Sequence, residues 1–140
     1  MARVDKISPI AKQPEYYSDL DINMTRNLIT GELLRLTNDE AIKQALVTLI
    51  LTSLSERPYQ PWVGSNINSS LFGLADDPLT LEQIKTSIRE CINNNEPRVN
   101  VEDIQIFDDI DNNGYNVRIV FSSINIQRLE AVDIFISRIR

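Results

Sequence analysis

The acidic side chains are the residues that could perform chemistry, because the 140-residue chain has no histidine and one cysteine, Cys91. Without imidazole there is no Ser-His-Asp or Cys-His machinery and no His-ligated zinc. Two carboxylates at the right separation can hydrolyse a glycosidic bond without histidine, and Glu40, Glu56 and Glu96 lie near segments predicted to be structured. The 20 Asp and Glu residues form many chance pairs, so sequence spacing selects none of them.

A thiol and an acidic loop are the other candidates for chemistry. Cys91 falls on the apolar stripe of a predicted helix, which favours a buried structural thiol over a nucleophile. The run Asp109 to Gly114 is similar to an EF-hand calcium loop, with oxygen-bearing side chains at positions one, three and five and glycine at six. The twelfth position, which should be glutamate, is Val120, and no helices are predicted on either side. We therefore predict an acidic hairpin loop, and expect neither a metal ion nor a cofactor.

Two motifs that contain proline have the composition of protein contacts. The first is Arg57-Pro58-Tyr59-Gln60-Pro61-Trp62-Val63-Gly64. Its Arg57, Tyr59 and Trp62 are residue types typical of interface hot spots, although the pattern alone favours a stiff loop that packs its aromatic rings against the helices. The second is Glu96-Pro97-Arg98, where an extended backbone projects residues 96 and 98 to the same side. These two side chains either pair with each other or grip a partner.

Two helices are predicted to position these residues. Thr37 to Glu40 and Thr80 to Gln83 both fit capping boxes; the first opens a helix that ends near Ser55, and the second opens a helix that Pro97 closes. Their apolar stripes are Ile42, Ala45, Leu46, Leu49, Ile50 and Leu54 in the first helix, and Leu81, Ile84, Ile88, Cys91 and Ile92 in the second. A short helix is predicted between them within Ile67 to Leu74, with Leu71 and Phe72 directed inward.

After Pro97 the apolar period changes from 3.6 to 2, which predicts strands near residues 99–107 and 115–123 and a last strand containing Val132, Ile134 and Ile136. Asn113-Gly114 is a hairpin turn signal. Residues 24–36 fit either a helix or a small hairpin turning at Thr30-Gly31, and we favour the hairpin. The predicted fold class is α+β, with two main helices packed on a small antiparallel sheet and a C-terminal three-stranded meander.

The overall composition limits the partners. We expect residues 1–16 to form a flexible basic arm and residues 17–140 to form a single domain. A formal net charge of −6 argues against binding nucleic acid. The most apolar run, Ala45 to Leu51, is far shorter than the ~20 residues of a membrane helix. No signal peptide is visible, so the composition alone predicts a cytoplasmic protein that binds neither nucleic acid nor membrane.

Taken together, the motifs resemble those of a known family, the small baseplate wedge proteins of contractile-tailed phages. The family includes the T-even phage member and the type VI secretion baseplate component TssE. The resemblance is carried, in this order, by Tyr17-Ser18-Asp19-Leu20-Asp21, Glu56-Arg57-Pro58-Tyr59-Gln60-Pro61 with Gly64, Leu71-Phe72, and Asn95-Glu96-Pro97-Arg98. Their order and spacing are more specific than any one of them. Gly73 departs from the pattern, since relatives often carry an acidic residue there.

The resemblance implies a structural protein without catalysis, located in the virion tail baseplate and assembled in the bacterial host cytoplasm. It implies that Glu96, Pro97 and Arg98 contact the helical core bundle of larger wedge subunits, and we add Arg57, Pro58, Tyr59, Pro61 and Trp62 as expected partner-binding residues. The last strand, with Val132, Ile134, Ile136 and Arg138, would template the first ring of tail sheath protein by strand addition at a sheet edge. Tube or hub proteins are further partners that this location allows. Members of this family have been labelled tail lysozymes, so peptidoglycan cleavage by paired carboxylates is the alternative.

Overall fold

The computed structural model describes residues 14–71 and 78–137. The elements, in chain order, are β1 (Ser18–Leu20), β2 (Arg35–Thr37), α1 (Asp39–Leu51), α2 (Ile67–Ser70), α3 (Pro78–Asn95), β3 (Val99–Asp109), β4 (Gly114–Ser123) and β5 (Leu129–Ser137). The strands form one antiparallel pair, β1-β2, and one antiparallel sheet in the order β3-β4-β5. The predicted α+β class with a C-terminal three-stranded meander is confirmed. Most of the expected arm, together with Phe72, Gly73 and Arg138, lies outside the described residues.

The hydrophobic core lies between one face of the three-stranded sheet and the helices α1 and α3. Its main side chains are Ile42, Leu46 and Ile50 of α1, Ile84, Ile88 and Ile92 of α3, Val117, Ile119 and Phe121 of β4, and Val132, Ile134 and Ile136 of β5. The helical stripes and the strand alternation read from the sequence therefore locate most of the core. Among residues 14–71 and 78–137, no helix is long and apolar enough to cross a membrane.

The two helix starts differ from the predicted capping boxes. α1 follows Asn38, which has a φ of 53° and makes no side-chain bond to the first turn. Its Oδ1 instead accepts the backbone N–H groups of Tyr16 (2.9 Å) and Tyr17 (3.4 Å). α3 begins at Pro78, a favoured first helical residue, so Thr80 is buried within the first turn. Both capping-box predictions were wrong. Thr37 is the last residue of β2, so α1 follows Asn38 instead, and a tertiary contact occupies the Asn38 side chain. α3 begins upstream of its motif.

The first helix also ends earlier than predicted. Thr52 leaves the helical conformation with φ −80° and ψ 125°, and its carbonyl oxygen accepts the backbone N–H of Ser65 at 2.8 Å. An isolated parallel bridge joins Ser53 to Ser65. Because the chain turns away at Thr52, Leu54 lies beyond the helix and is 44% exposed, so its predicted place in the apolar stripe was wrong.

The hairpin predictions agree with the structure. Asn113 adopts a φ of 51° in the turn that joins β3 to β4. The segment of residues 24–36 doubles back on itself, with an isolated antiparallel bridge between Arg26 and Leu33 and a left-handed Gly31 (φ 74°). This hairpin continues into the β1-β2 pair, which places Tyr17 and Asp19 beside α1.

Candidate partner-binding surfaces

The first surface is the aromatic loop, residues 52–65, which contains the first proline motif. Its backbone bonds to itself: besides the Ser65 to Thr52 bond, the N–H of Ser55 donates to the carbonyl oxygen of Pro61 at 2.9 Å. The carboxylate of Glu56 accepts the N–H of Ser53 at 2.8 Å. The loop is therefore a closed, internally bonded unit rather than an open connection.

Gly64 and Cys91 attach the aromatic loop to the helices. Gly64 has a φ of 135°, and a Cβ added there would lie 2.7 Å from the carbonyl oxygen of Thr52, so only glycine fits. The thiol of Cys91 on α3 donates to the carbonyl oxygen of Gly64 at 3.0 Å. Burial raises the pKa of this thiol, which keeps it protonated and available as a donor. Cys91 is a buried residue of the core side of α3, as the sequence predicted.

The aromatic rings of this loop point to solvent. Tyr59 is 93% exposed and Trp62 is 67% exposed. The interpretation that the pattern favoured, a loop that packs its aromatics against the helices, was therefore wrong. The internal bonds close the loop by themselves, so its tip needs no packing against the core. Two large exposed rings on a rigid loop are the features of a contact surface.

The second surface is the corner between α3 and β3, residues 96–98. Arg98 donates from Nε to Oε1 of Glu96 (2.5 Å) and from Nη2 to Oε2 (2.7 Å). The Glu96 side chain is only 10% exposed, and that of Arg98 is 37% exposed. The hydrogen bonding of Arg98 to the Glu96 carboxylate is the main reason that the pKa of Arg98 is raised. Of the two arrangements that the sequence left open, the side chains adopt the mutual pair, and Pro97 remains exposed.

Tyr17 completes this corner. The Arg98 guanidinium lies 5.1 Å from the centroid of the Tyr17 ring, within the range of a cation–π contact. The Tyr17 hydroxyl accepts a hydrogen bond from Nδ2 of Asn125, in the connection between β4 and β5, at 2.6 Å. Sequence reasoning missed this role, and its one signal was the place of Tyr17 in the first motif of the resemblance. Tyr17 thus links the N-terminal hairpin, the α3–β3 corner and the sheet.

A groove of about 460 Å³ brings the two motifs together. Arg57 and Gln60 of the aromatic loop line it together with Glu96 of the corner. Trp62 lines a second groove of about 330 Å³, and Asn95 lines both grooves. Three of the residues predicted to bind partners, Arg57, Trp62 and Glu96, therefore line two grooves that share Asn95.

The third surface is the free edge of β5. Within the described sheet β5 pairs with β4 only. Val132, Ile134 and Ile136 are buried at 8%, 4% and 7% exposure, so their side chains face the core. A partner strand would therefore meet the backbone of β5 and the outward side chains of Asp133 and Phe135.

Of the three carboxylates proposed for hydrolysis, Glu40 is exposed in the first turn of α1, and Glu56 and Glu96 are engaged in structural bonds. Both oxygens of Glu96 accept from Arg98, and an oxygen of Glu56 accepts from its own loop. Among the described carboxyl groups whose pKa is shifted, Asp21, Asp109 and Asp133, every shift is downward and hydrogen bonding is its largest cause. A general acid for glycoside cleavage needs the opposite shift.

The acidic hairpin loop uses Asp109 to close its turn. The carboxylate of Asp109 accepts from the backbone N–H of Asn112 (3.2 Å) and from the side-chain amides of Asn112 (2.9 Å) and Asn116 (3.0 Å). In the described ranges no group of three or more acidic or cysteine side chains is placed to hold a metal ion. The carboxylate at position one of the EF-hand-like run thus stabilises a hairpin here.

Exposed aromatic side chains on an internally bonded loop and an open sheet edge are the surface features of a protein that assembles with other subunits. The sequence model of one family, described as Baseplate wedge protein gp25, matches residues 37–125. This chain belongs to that family. It is 30% identical over 96 residues to Baseplate wedge protein gp25 of Enterobacteria phage T4, an alignment that covers 66% of this chain and 71% of the phage protein. The resemblance carried by the motifs is confirmed, and the protein is a structural component of a contractile-tail baseplate, where it interacts with other baseplate components.

Solved structures share the fold. A chain in the cryo-EM structure of the anti-feeding prophage baseplate, 6-fold symmetrised, matches with a TM-score of 0.64 and 24% identity, covering 75% of this chain and 83% of that one. A crystal structure of a Geobacter sulfurreducens protein, provisionally named a tail lysozyme, matches with a TM-score of 0.68 and 16% identity, covering 73% and 92%. At these identities the similarity establishes the architecture and does not transfer an activity.

Proposed function

We propose that this protein connects larger wedge subunits to the tail sheath. In this proposal the aromatic loop and the Glu96–Arg98 corner bind the helical core bundle of the wedge subunits, and β5 receives a strand from the first ring of sheath protein. Tube or hub proteins are further neighbours in the same location, and assembly takes place in the host cytoplasm. The observation that carries the proposal is the presence of two different kinds of contact surface, exposed aromatic side chains on an internally bonded loop and the open edge of β5.

The two free edges of the three-stranded sheet differ in their suitability for strand addition. β3 has a register irregularity between Val101 and Asp103, and bulges and charges blunt an edge. β5 pairs with β4 without interruption from Leu129 to Ser137. An uninterrupted strand presents regularly spaced backbone donors and acceptors, which favours β5 as the receiving edge.

The partner surface for the wedge subunits combines exposed aromatic side chains with a loop closed by its own hydrogen bonds. Tyr59 and Trp62 would bury large ring areas on binding, and the loop that carries them is already ordered by its own hydrogen bonds. Pre-ordered aromatic side chains lower the entropy cost of association. Arg57, which lines the groove beside them, adds a donor suited to carboxylates.

The wedge contact is tested by co-purification of the larger wedge subunits with Tyr59→Ala and Trp62→Ala variants. Hot-spot aromatics typically contribute 2 kcal/mol or more, so we expect each change to weaken binding by about 30-fold. Phe107→Ala is the matched control, because Phe107 is an exposed aromatic (56%) on β3, away from the loop. Thermal unfolding should be nearly unchanged in all three variants. Wild-type binding by both loop variants would contradict the proposed surface.

Strand addition is tested by amide hydrogen exchange of the protein with and without the tail sheath protein. Deletion of β5 is unsuitable, because it removes Val132, Ile134 and Ile136 from the core. We expect new protection of amides within residues 129–137 when sheath protein is bound, and no equivalent protection in β3. Bound sheath protein that leaves the β5 amides exchanging at their free rate would refute strand addition.

A further inference from the structure

One row of polar side chains crosses the outer face of the sheet and stops at the β5 edge. Gln105 of β3 is opposite Arg118 of β4, which is opposite Asp133 of β5. Arg118 donates from Nε to Oδ1 of Asp133 (2.7 Å) and from Nη2 to Oδ2 (3.0 Å). The Asp133 side chain remains 66% exposed. The other acid of β5, Glu130, is bonded to Lys43 of α1 at 2.8 Å, so Asp133 is the outward-facing charge of this strand.

A strand added to β5 would lie directly beside Asp133, the anion of this row, and one strand further from its cation, Arg118. Adjacent strands lie about 4.8 Å apart, and directly opposite side chains have Cβ atoms about 5 Å apart. The residue opposite Asp133 would therefore touch its carboxylate, while Arg118 would lie one strand further away. A carboxylate has about four lone-pair sites, so two bonds from Arg118 leave room for another donor. A cation at the opposite position would continue the alternation of charge, and an anion would be repelled.

A second copy of this chain carries the wrong charge for that edge. β3, the other edge strand, contains four acidic residues and no basic one: Glu102, Asp103, Asp108 and Asp109. If two β5 strands paired antiparallel over their full length, Asp133 of one copy would lie opposite Asp133 of the other. Like charges directly opposite each other destabilise strand pairs. Full-length β5–β5 pairing therefore brings acid to acid, and β3 of a second copy offers Asp133 no basic side chain.

We propose that Asp133, oriented by Arg118, selects the strand that joins β5: it accepts a strand with lysine or arginine at the opposite position and disfavours a second copy of this chain. This inference rests on the proposed strand addition and specifies the charge of the incoming strand. It also explains how an open edge persists on an isolated subunit, since a single charge on an edge strand opposes aggregation.

The test is a charge exchange that keeps the internal ion pair. The edge exchange Arg118→Asp/Asp133→Arg preserves the pair and the net charge but presents a cation at the edge. The matched control is Glu82→Lys/Lys85→Glu, which exchanges an exposed pair of α3 that lies 3.2 Å apart. We expect the edge exchange to weaken binding of the tail sheath protein roughly 3- to 30-fold, and the control to stay within about twofold of wild type. Equal binding by both exchanges would overturn the proposal.

Two further measurements separate the possible failures. In the first, the edge-exchange protein is mixed with sheath variants that each have one lysine or arginine of a strand changed to glutamate. One of these variants should restore binding. If none does, the proposed cation opposite Asp133 is refuted. Wild-type protein alone should show no concentration-dependent protection of β5 amides, and such protection would refute the exclusion of a second copy. If bound sheath protein protects the β5 amides but the edge exchange leaves its affinity unchanged, only the charge selection by Asp133 is refuted. If bound sheath protein leaves the β5 amides unprotected, strand addition is refuted, and the charge selection with it.

Discussion

Replacement of Arg98 by methionine removes both hydrogen-bond donors from a carboxylate that is almost buried. The Glu96 side chain is 10% exposed, and both of its oxygens bond to Arg98. Breaking a fully buried pair costs about 3–5 kcal/mol, because the remaining charge has no partner. Arg98 is 37% exposed, and water can replace part of the lost contact. We therefore expect Arg98→Met to lower the free energy of unfolding by about 2–4 kcal/mol, or the melting temperature by roughly 5–15 °C.

The assay is urea unfolding of wild type, Arg98→Met, Glu96→Gln and the double variant. The double variant should be more stable than the sum of the single losses predicts, with a coupling energy of about 1–3 kcal/mol. A loss below about 0.5 kcal/mol for Arg98→Met, with coupling near zero, would show that the pair behaves as a surface ion pair and would refute the structural role argued for it. Arg98→Glu should destabilise further, because it faces Glu96 with a second carboxylate, so that change cannot separate binding from folding.

Three further measurements have defined outcomes. Gly64→Ala should lower the free energy of unfolding by about 2 kcal/mol or more in the same urea assay, because its Cβ meets the Thr52 carbonyl oxygen at a positive φ; an unchanged midpoint would contradict this. The Arg118 guanidinium holds the pKa of Asp133 below its ordinary value near 3.8, so this pair stabilises the fold above that value and its contribution is lost as the pH falls through the lower folded pKa. An NMR titration should show the low pKa in wild type and a higher one in Arg118→Ala. Purified protein should leave suspensions of cell walls turbid, and clearing that Glu56→Gln abolishes would establish the lysozyme alternative.

The periodic parts of the fold were predictable from sequence, because they depend on local spacing. Apolar residues at helical spacing identified Ile42, Leu46 and Ile50 as core residues, and strict alternation identified the inward side chains of β4 and β5. The Asn113-Gly114 signal located a hairpin turn that the structure contains. Each of these features satisfies its hydrogen bonds and buries its apolar side within one or two elements, so no distant residue has to be known.

Both ends of α1 and the aromatic loop were mispredicted because distant residues control them. Asn38 bonds to the backbone of Tyr16 and Tyr17 instead of capping α1. The carbonyl oxygen of Thr52 bonds to Ser65, which ends the helix early and closes a loop that holds its rings in solvent. Composition gave the correct residue types for a contact surface but not their exposure, since exposure depends on what the rest of the chain covers.

By itself the sequence determined the α+β class, the core residues and, through the order of its motifs, membership of the baseplate wedge family. Only the tertiary structure decided what those motifs do within the molecule. It paired Glu96 with Arg98 over the ring of Tyr17, and it placed Asp133 at an open strand edge. The physical reason is that the contact of Arg98 with Tyr17 joins residues far apart along the chain, and the openness of a strand edge depends on which other elements cover it. Sequence patterns record only the periodicity of a single element.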